Sequence, residues 1–193
     1  YWKLMKYLET ANHPLLRCKN NEEWISYYNG RNRFAIFNQD KFVQLMSRKK
    51  SEGYFDNTLF IIFSVEKEDE TWFKWGEEKY TSLGFIEAEG IVTNNFSCVV
   101  RPGCYEIIDF VTLNKEKYKE MNYEEKINVK KIVFYSRDYC MLAKIGEKIQ
   151  VSGLLEKVES KSEGVYYRVV VGYFDAYITD RREKEYIKVV DNE

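Results

Sequence analysis

The chain has 193 residues, of which 45% are hydrophobic and 32% are charged, and this composition excludes a disordered chain and predicts a globular protein with a sizeable core. It carries 30 basic and 31 acidic residues, a formal net charge of −1, so any affinity for nucleic acid must come from a local patch rather than an overall basic excess. The longest apolar stretch, LFIIF at residues 59–63, is much shorter than the about 18 apolar residues that a membrane helix needs. No signal-peptide pattern is visible, and we expect a cytoplasmic protein that does not associate with membranes.

Amino-acid usage gives two further expectations, about the source of the chain and about its thiols. Lys and Glu are abundant while Gln occurs only at Gln39, Gln44 and Gln150, which favours a thermophilic source, although an AT-rich genome would also raise the content of Lys, Asn and Tyr. Four cysteines occur without a C-x-x-C pair, and His13 is the single histidine. We therefore expect reduced cysteines with packing roles, no metal site and no cofactor.

The first structured segment, residues 24–37, has an Asn-Gly dipeptide between two apolar-rich arms. Asn-Gly is a strong hairpin signal because both turn positions tolerate positive φ, and we predict a hairpin here. The alternative is a helix over 21–28, with Asn20 as its N-cap, Glu23 completing a capping box and Gly30 ending it.

The next two elements complete a small α+β part over residues 1–78. Residues 39–50 place four apolar side chains on one helical face and crowd basic residues into the last turn, which predicts a short helix. Residues 58–65 form an apolar run that predicts a central strand.

From about residue 80 the pattern becomes mainly β, and we predict an OB-like β-barrel over residues 79–193. Gly90 and Gly153 each interrupt a strand pattern, which indicates bulges or sharp bends, and short bent strands suit a small barrel. The segment 114–126 is charged and predicts a helix or a long loop. The predicted strands are 84–92, 106–113, 127–136, 147–158, 165–174 and 185–190.

The strands at 147–158 and 165–174 read as consecutive barrel strands, because alternating apolar residues flank a polar turn. This alternation predicts which side chains enter the core. The residues expected to face the core are Ile149, Val151, Tyr167, Val169 and Val171.

Four motifs in order, YTSLGFIEAEGIVT, VVRPGCYEI, VFYSRDYCMLAKIGEKIQVSGLLEKV and GVYYRVVVG, together resemble the C-terminal, OB-like segment of archaeal predicted nucleotidyltransferase-like proteins. The resemblance covers residues 80–175. It implies an OB-like fold and a link to nucleotide or nucleic-acid chemistry.

Catalytic motifs are missing from the sequence. A nucleotidyltransferase needs a Gly-Ser pair at a helix start and two aspartates one residue apart, and neither pattern occurs. Glycine-rich phosphate loops are absent too. Glu87 and Glu89 share one strand face, and Cys98 and Cys104 flank a Pro-Gly turn, but a solvated strand face and small core residues explain them. We therefore expect a protein without catalysis of its own.

An interleaving of aromatic and basic residues remains as the functional signal. On an OB-like barrel, exposed aromatic rings stack bases while arginines track phosphates, which predicts binding of single-stranded DNA or RNA. The alternative is a protein–protein interaction module, or an accessory subunit of a nucleotidyltransferase-type complex, because Tyr and Arg also dominate protein interfaces. Tyrosines in strands equally serve packing. The candidate nucleic-acid-binding residues are Tyr135, Arg137, Tyr139, Tyr166 and Arg168.

Overall fold

The structure is a computed structural model that describes residues 2–10, 13–30, 39–62, 64–65, 76–113, 127, 129–172 and 185–190. Two compact units, Tyr1–Val65 and Glu66–Glu193, make up the chain. The predicted segment 114–126 and the second arm of the predicted hairpin lie outside the described residues. No helix in the described part of the chain is long and apolar enough to cross a membrane.

In its described residues, the N-terminal unit combines three short helices with a three-stranded antiparallel sheet of order β1-β2-β3. The predicted helix over 39–50 is shorter in the structure, Gln39–Met46, and its apolar face is buried. The predicted central strand over 58–65 is shorter, and it lies at an edge of this sheet. The elements are α1 (Trp2–Thr10), β1 (Leu16–Cys18), α2 (Asn21–Asn29), α3 (Gln39–Met46), β2 (Glu52–Phe55) and β3 (Thr58–Ile61).

The predicted hairpin centred on Asn-Gly is wrong, because its first arm lies in helix α2. The side chain of Asn20 accepts a hydrogen bond from the backbone N–H of Glu23 at 2.9 Å, and the Glu23 carboxylate accepts from the backbone N–H of Asn20 at 2.9 Å. This capping box satisfies two otherwise unpaired donors at the helix start. Trp24, only 1% exposed, then anchors the helix in the core, so the local capping and the burial together outweigh the turn signal.

A hairpin does occur in this unit, between β2 and β3. Its two turn residues, Asp56 and Asn57, have φ of 45° and 61°. Two successive positive φ values match the right-handed twist of the flanking strands, and Asp and Asn tolerate them better than most residues.

The C-terminal unit is mainly β, with a closed barrel of five strands that is compatible with the predicted OB-like fold. Pairing runs from β4 through β5, β6, β8 and β7 back to β4, and β6 and β8 are parallel while the other pairs are antiparallel. The strands are β4 (Glu78–Asn94), β5 (Gly103–Thr112), β6 (Val129–Phe134), β7 (Lys148–Ser160), β8 (Gly164–Val171) and β9 (Tyr186–Val190).

The predicted core residues of β7 and β8 are buried as expected. Close packing requires glycine at position 153, because a Cβ there would lie 2.4 Å from the carbonyl oxygen of Val170. Gly90 has a different role, as the residue opposite a bulge in β5. The remaining strand, β9, pairs with the first half of β7 beside the barrel.

Candidate functional site: a groove on β5 and β6

Two of the predicted binding residues, Tyr166 and Arg168, lie on the outer side of β8. The strand register sets Arg168 opposite Glu156 and Tyr166 opposite Val158, while Tyr167 points the other way, with the core residue Val169. Both outer side chains are nevertheless covered, with exposed fractions of 1% for Tyr166 and 5% for Arg168.

Hydrogen bonds and an ion pair satisfy these two side chains inside the protein. The Tyr166 hydroxyl donates to the Glu78 carboxylate at 2.9 Å, and the Arg168 Nε and Nη2 atoms both donate to Glu156 at 2.8 Å. The ring of Tyr80 stacks on the guanidinium, whose central carbon is 3.8 Å from the ring centroid. We call this set of residues the β8 face: Glu78, Tyr80, Glu156, Tyr166 and Arg168.

The electrostatics of the β8 face keep Arg168 charged and its tyrosines neutral. Burial acts to lower the pKa of Arg168, but the charge and the hydrogen bond of Glu156 raise that pKa above its ordinary value. Burial raises the pKa of Tyr166, and the neighbouring Glu78 raises it further. A role for Tyr166 and Arg168 in nucleic-acid binding stays a prediction, and their burial does not favour it.

The other three predicted residues follow the end of β6. Tyr135 packs against the cluster of Cys104, Val133 and Val170. Arg137 and Tyr139 belong to one turn of 3₁₀-helix, and the Tyr139 hydroxyl donates to a backbone carbonyl at 3.3 Å. All three are half-buried. The five predicted residues therefore do not form one surface. Tyr166 and Arg168 belong to the β8 face, Tyr135 follows the end of β6, and Arg137 and Tyr139 lie in the 3₁₀ turn after it.

A groove of about 470 Å³ opens on the outer side of β5 and β6. In OB-fold barrels, the second and third strands and the loops joining strands one to two and four to five bind oligonucleotides and oligosaccharides. Here β5 and β6 are the second and third barrel strands, and Glu163 reaches the groove from the turn between the fourth and fifth. The groove is lined by Thr93, Glu106, Ile107, Ile108, Asp109, Phe110, Val129, Lys130, Lys131 and Glu163.

A β-bulge in β5 shapes the groove. Between the pairs Ile91–Ile108 and Glu89–Val111, the two residues Asp109 and Phe110 stand opposite Gly90 alone. The φ of Asp109 is 53°, a value that Asp and Asn adopt more readily than most residues. Glycine suits position 90 because a Cβ there would lie 2.9 Å from the Ile107 side chain. The bulge re-aims the β5 side chains at the point where the groove opens.

A second irregularity, in β6, brings two consecutive lysines together. Val129 pairs with Tyr167 and Lys131 with Arg168, so Lys130 is an extra residue in the ladder. Consecutive side chains of a regular strand point to opposite faces. Here both ammonium groups lie near one ring, with Lys131 Nζ 4.7 Å and Lys130 Nζ 5.8 Å from the centroid of Tyr166.

The lining of the groove is of mixed charge. It contains two lysines and three carboxylates, and Lys131 forms a 2.8 Å ion pair with Glu163. Lys130 is exposed. The pairing of β5 with β6 covers only Gly103–Glu106. Beyond the groove, β5 carries the exposed Val111, and the exposed Leu113 follows its last residue. The lining therefore combines apolar side chains with charges of both signs.

Sequence reasoning missed this groove, although two signals for it were present. Ile107 and Ile108 are consecutive apolar residues followed by an aspartate, which breaks the alternation of a regular strand and indicates a bulge. Consecutive lysines at the start of a strand give a similar signal in β6.

The remaining chemical candidates have structural partners. Glu87 accepts hydrogen bonds from Gln150 at 2.8 Å and from the Tyr186 hydroxyl, and Glu89 is ion-paired with Lys148 at 2.5 Å. Among the described residues no group of three or more His, Cys, Asp or Glu side chains could hold a metal ion.

Two buried thiols are also held in their protonated form. A hydrogen bond with Cys140, and then burial, raise the pKa of Cys98 far above its ordinary value. Burial raises the pKa of Cys104 to about 12. Because the thiolate is the nucleophilic form, neither side chain is poised for nucleophilic chemistry.

Comparison with known proteins finds similarity to the uncharacterized protein MJ1086 of the archaeon Methanocaldococcus jannaschii, 30% identical over 174 residues. The match covers 90% of this chain and 46% of the relative, so the chain spans less than half of that protein's length. No protein-family model and no solved structure matches the chain. The archaeal part of the predicted resemblance is thereby supported, while the nucleotidyltransferase link stays a prediction.

Proposed function

We propose that the chain is a non-catalytic binding protein that holds single-stranded DNA or RNA in the β5–β6 groove. The observation that carries the proposal is the position of the groove, on the second and third barrel strands with a residue from the turn between the fourth and fifth. This is the surface that OB-fold barrels use for oligonucleotides.

The contents of the groove favour contacts with bases over contacts with phosphates. Ile108, which is 51% exposed, and the half-buried Phe110 offer apolar surface on which a base can lie, and stacking on an aromatic ring contributes about 1–3 kcal/mol per base. Lys130 is the exposed cation of the lining, since Lys131 is paired with Glu163. We therefore expect moderate affinity with a shallow dependence on salt.

The test is fluorescence anisotropy with labelled single-stranded DNA and RNA, using the full chain across a salt series. Lys130→Ala should lower the slope of log affinity against log salt by about 0.7, the value for one phosphate contact on a single strand. Lys144→Ala is the matched control, because Lys144 is exposed in the turn before β7 and outside the groove lining. If neither DNA nor RNA binds at low salt, the proposal is contradicted.

A protein partner is the second candidate, including the role of accessory subunit in a nucleotidyltransferase-type complex. The observation that favours it is an apolar strip on β5 and directly after its end, where Ile108, Val111 and Leu113 are between 43% and 53% exposed. Val111→Asp changes the strip outside the groove lining. If a protein partner occupies the strip, this variant loses that partner and keeps its affinity for oligonucleotides.

A further inference from the structure

Two carboxylates of the β5–β6 groove, Glu106 and Asp109, have no ion-pair partner among the described residues. Among the described residues, no hydrogen bond or ion pair joins Glu106 or Asp109 to another side chain. The register sets Glu106 directly opposite Lys131, yet the Lys131 ammonium is 2.8 Å from Glu163 instead. Both carboxylates therefore offer hydrogen-bond acceptors to whatever enters the groove.

The spacing of the two carboxylates suits a planar organic ligand better than a small cation. Three residues along a strand span roughly 10 Å, and the bulge at Asp109 turns the backbone between them. The apolar side chains of Ile108 and Phe110 belong to the same lining. Because all four residues line one groove, a base that lies on these apolar side chains meets carboxylate acceptors in the same groove.

We infer that the groove selects bases that carry an exocyclic amino group over uracil and thymine, an inference that rests on the proposed function. The amino groups of cytosine N4 and adenine N6 donate hydrogen bonds, and carboxylates are their natural acceptors. Uracil presents carbonyl oxygens at the corresponding position, which a carboxylate repels. Proteins that bind single strands read such edges on unstacked bases.

The experiment compares equal-length oligo(C), oligo(A) and oligo(U) at one low salt concentration by fluorescence anisotropy. Oligo(C) and oligo(A) are expected to bind at least about fivefold more tightly than oligo(U), the lower end of the discrimination from one good base contact. Equal affinity for the three oligonucleotides overturns the inference and leaves the proposed function standing. Failure of all three to bind overturns both.

Two isosteric variants test which side chains discriminate. Glu106→Gln and Asp109→Asn keep the shape of the groove, and Asn tolerates the positive φ at position 109. Each adds an amide donor that pairs with a uracil oxygen, so the ratio of oligo(C) to oligo(U) affinity should fall by about fivefold.

Glu163→Gln is the matched control, because Glu163 lines the same groove but is paired with Lys131. It should change the affinity for all three oligonucleotides by the same factor and leave their ratio unchanged. A double variant of Glu106 and Asp109 that folds normally and keeps the ratio of the parent chain overturns the assignment.

Discussion

The β8 face and the β5–β6 groove combine the same kinds of side chain with opposite results. On the β8 face, Arg168 lies across from Glu156 and beneath Tyr80, so its charge is paired and buried. In the groove, Lys130 is an extra residue in the ladder, and the apolar side chain of Ile108 stays exposed. An aromatic and basic pattern thus becomes a buried network where the opposite acid forms the ion pair, and part of an open groove where a bulge interrupts the ladder.

The largest expected effect comes from breaking the ion pair of the β8 face. Arg168→Ala leaves the Glu156 carboxylate buried without its partner, which should lower the free energy of unfolding by about 3–5 kcal/mol. Urea denaturation followed by circular dichroism measures this loss.

A matched double variant separates the ion pair from simple packing. Replacing Arg168 by Met and Glu156 by Leu removes both charges and keeps the volume, and it should recover most of the lost stability. If Arg168→Ala unfolds at the urea concentration of the parent chain, the β8 face is not a buried network.

The next largest effect concerns stacking in the groove. Phe110→Leu keeps an apolar side chain and removes the aromatic face, so affinity for single strands should fall by about 5- to 150-fold, which corresponds to 1–3 kcal/mol. Anisotropy titrations measure the loss, and Tyr166→Phe is the control from the β8 face. That control keeps its ring, loses the hydrogen bond to Glu78, and should cost about 1 kcal/mol of stability with affinity unchanged.

A smaller effect is expected from releasing Lys131. Glu163→Gln removes the partner of the Lys131 ammonium, which should strengthen binding of oligonucleotides by about two- to fivefold at low salt and steepen the salt dependence by about 0.7. Equal affinities for variant and parent at low salt would show that Lys131 does not reach phosphate.

The smallest effect is spectroscopic and concerns Tyr80 at alkaline pH. Burial, and then the hydrogen bond with Glu78, raise the pKa of Tyr80 to about 12, whereas an unfolded tyrosine titrates near 10. Ionisation therefore favours the unfolded chain from about pH 10, and this contribution to stability disappears by about pH 12. Absorbance titrations of the parent and of Tyr80→Phe should differ by one tyrosine that ionises near pH 12. A difference centred near pH 10 contradicts the raised pKa of Tyr80.

The barrel was predictable because its signals are local. The alternation of apolar residues in β7 and β8 predicted their core residues. Gly90 indicated a bulge, and the register of β4 and β5 contains one. Helix α2 was mistaken for a hairpin because the Asn-Gly signal competes with a capping box whose advantage depends on the burial of Trp24.

The candidate site was less predictable because exposure is not a local property. Tyr166 and Arg168 alternate on the outer side of β8 as the pattern predicts, but their environment depends on Glu78 and Glu156, which are distant in sequence. The groove depends likewise on Glu163, which reaches Lys131 only once the barrel has closed.

The parallel pairing of β6 with β8 also bears on the order of events during synthesis. Strands β4, β5 and β6 emerge from the ribosome first, yet β6 acquires its second neighbour only when residues 164–171 have appeared. The barrel therefore closes only after segments far apart in sequence have paired, and such contacts form slowly. Until then, the edge of β6 and the apolar faces of three strands are open to other nascent chains, so this unit is most exposed to misassembly late in translation.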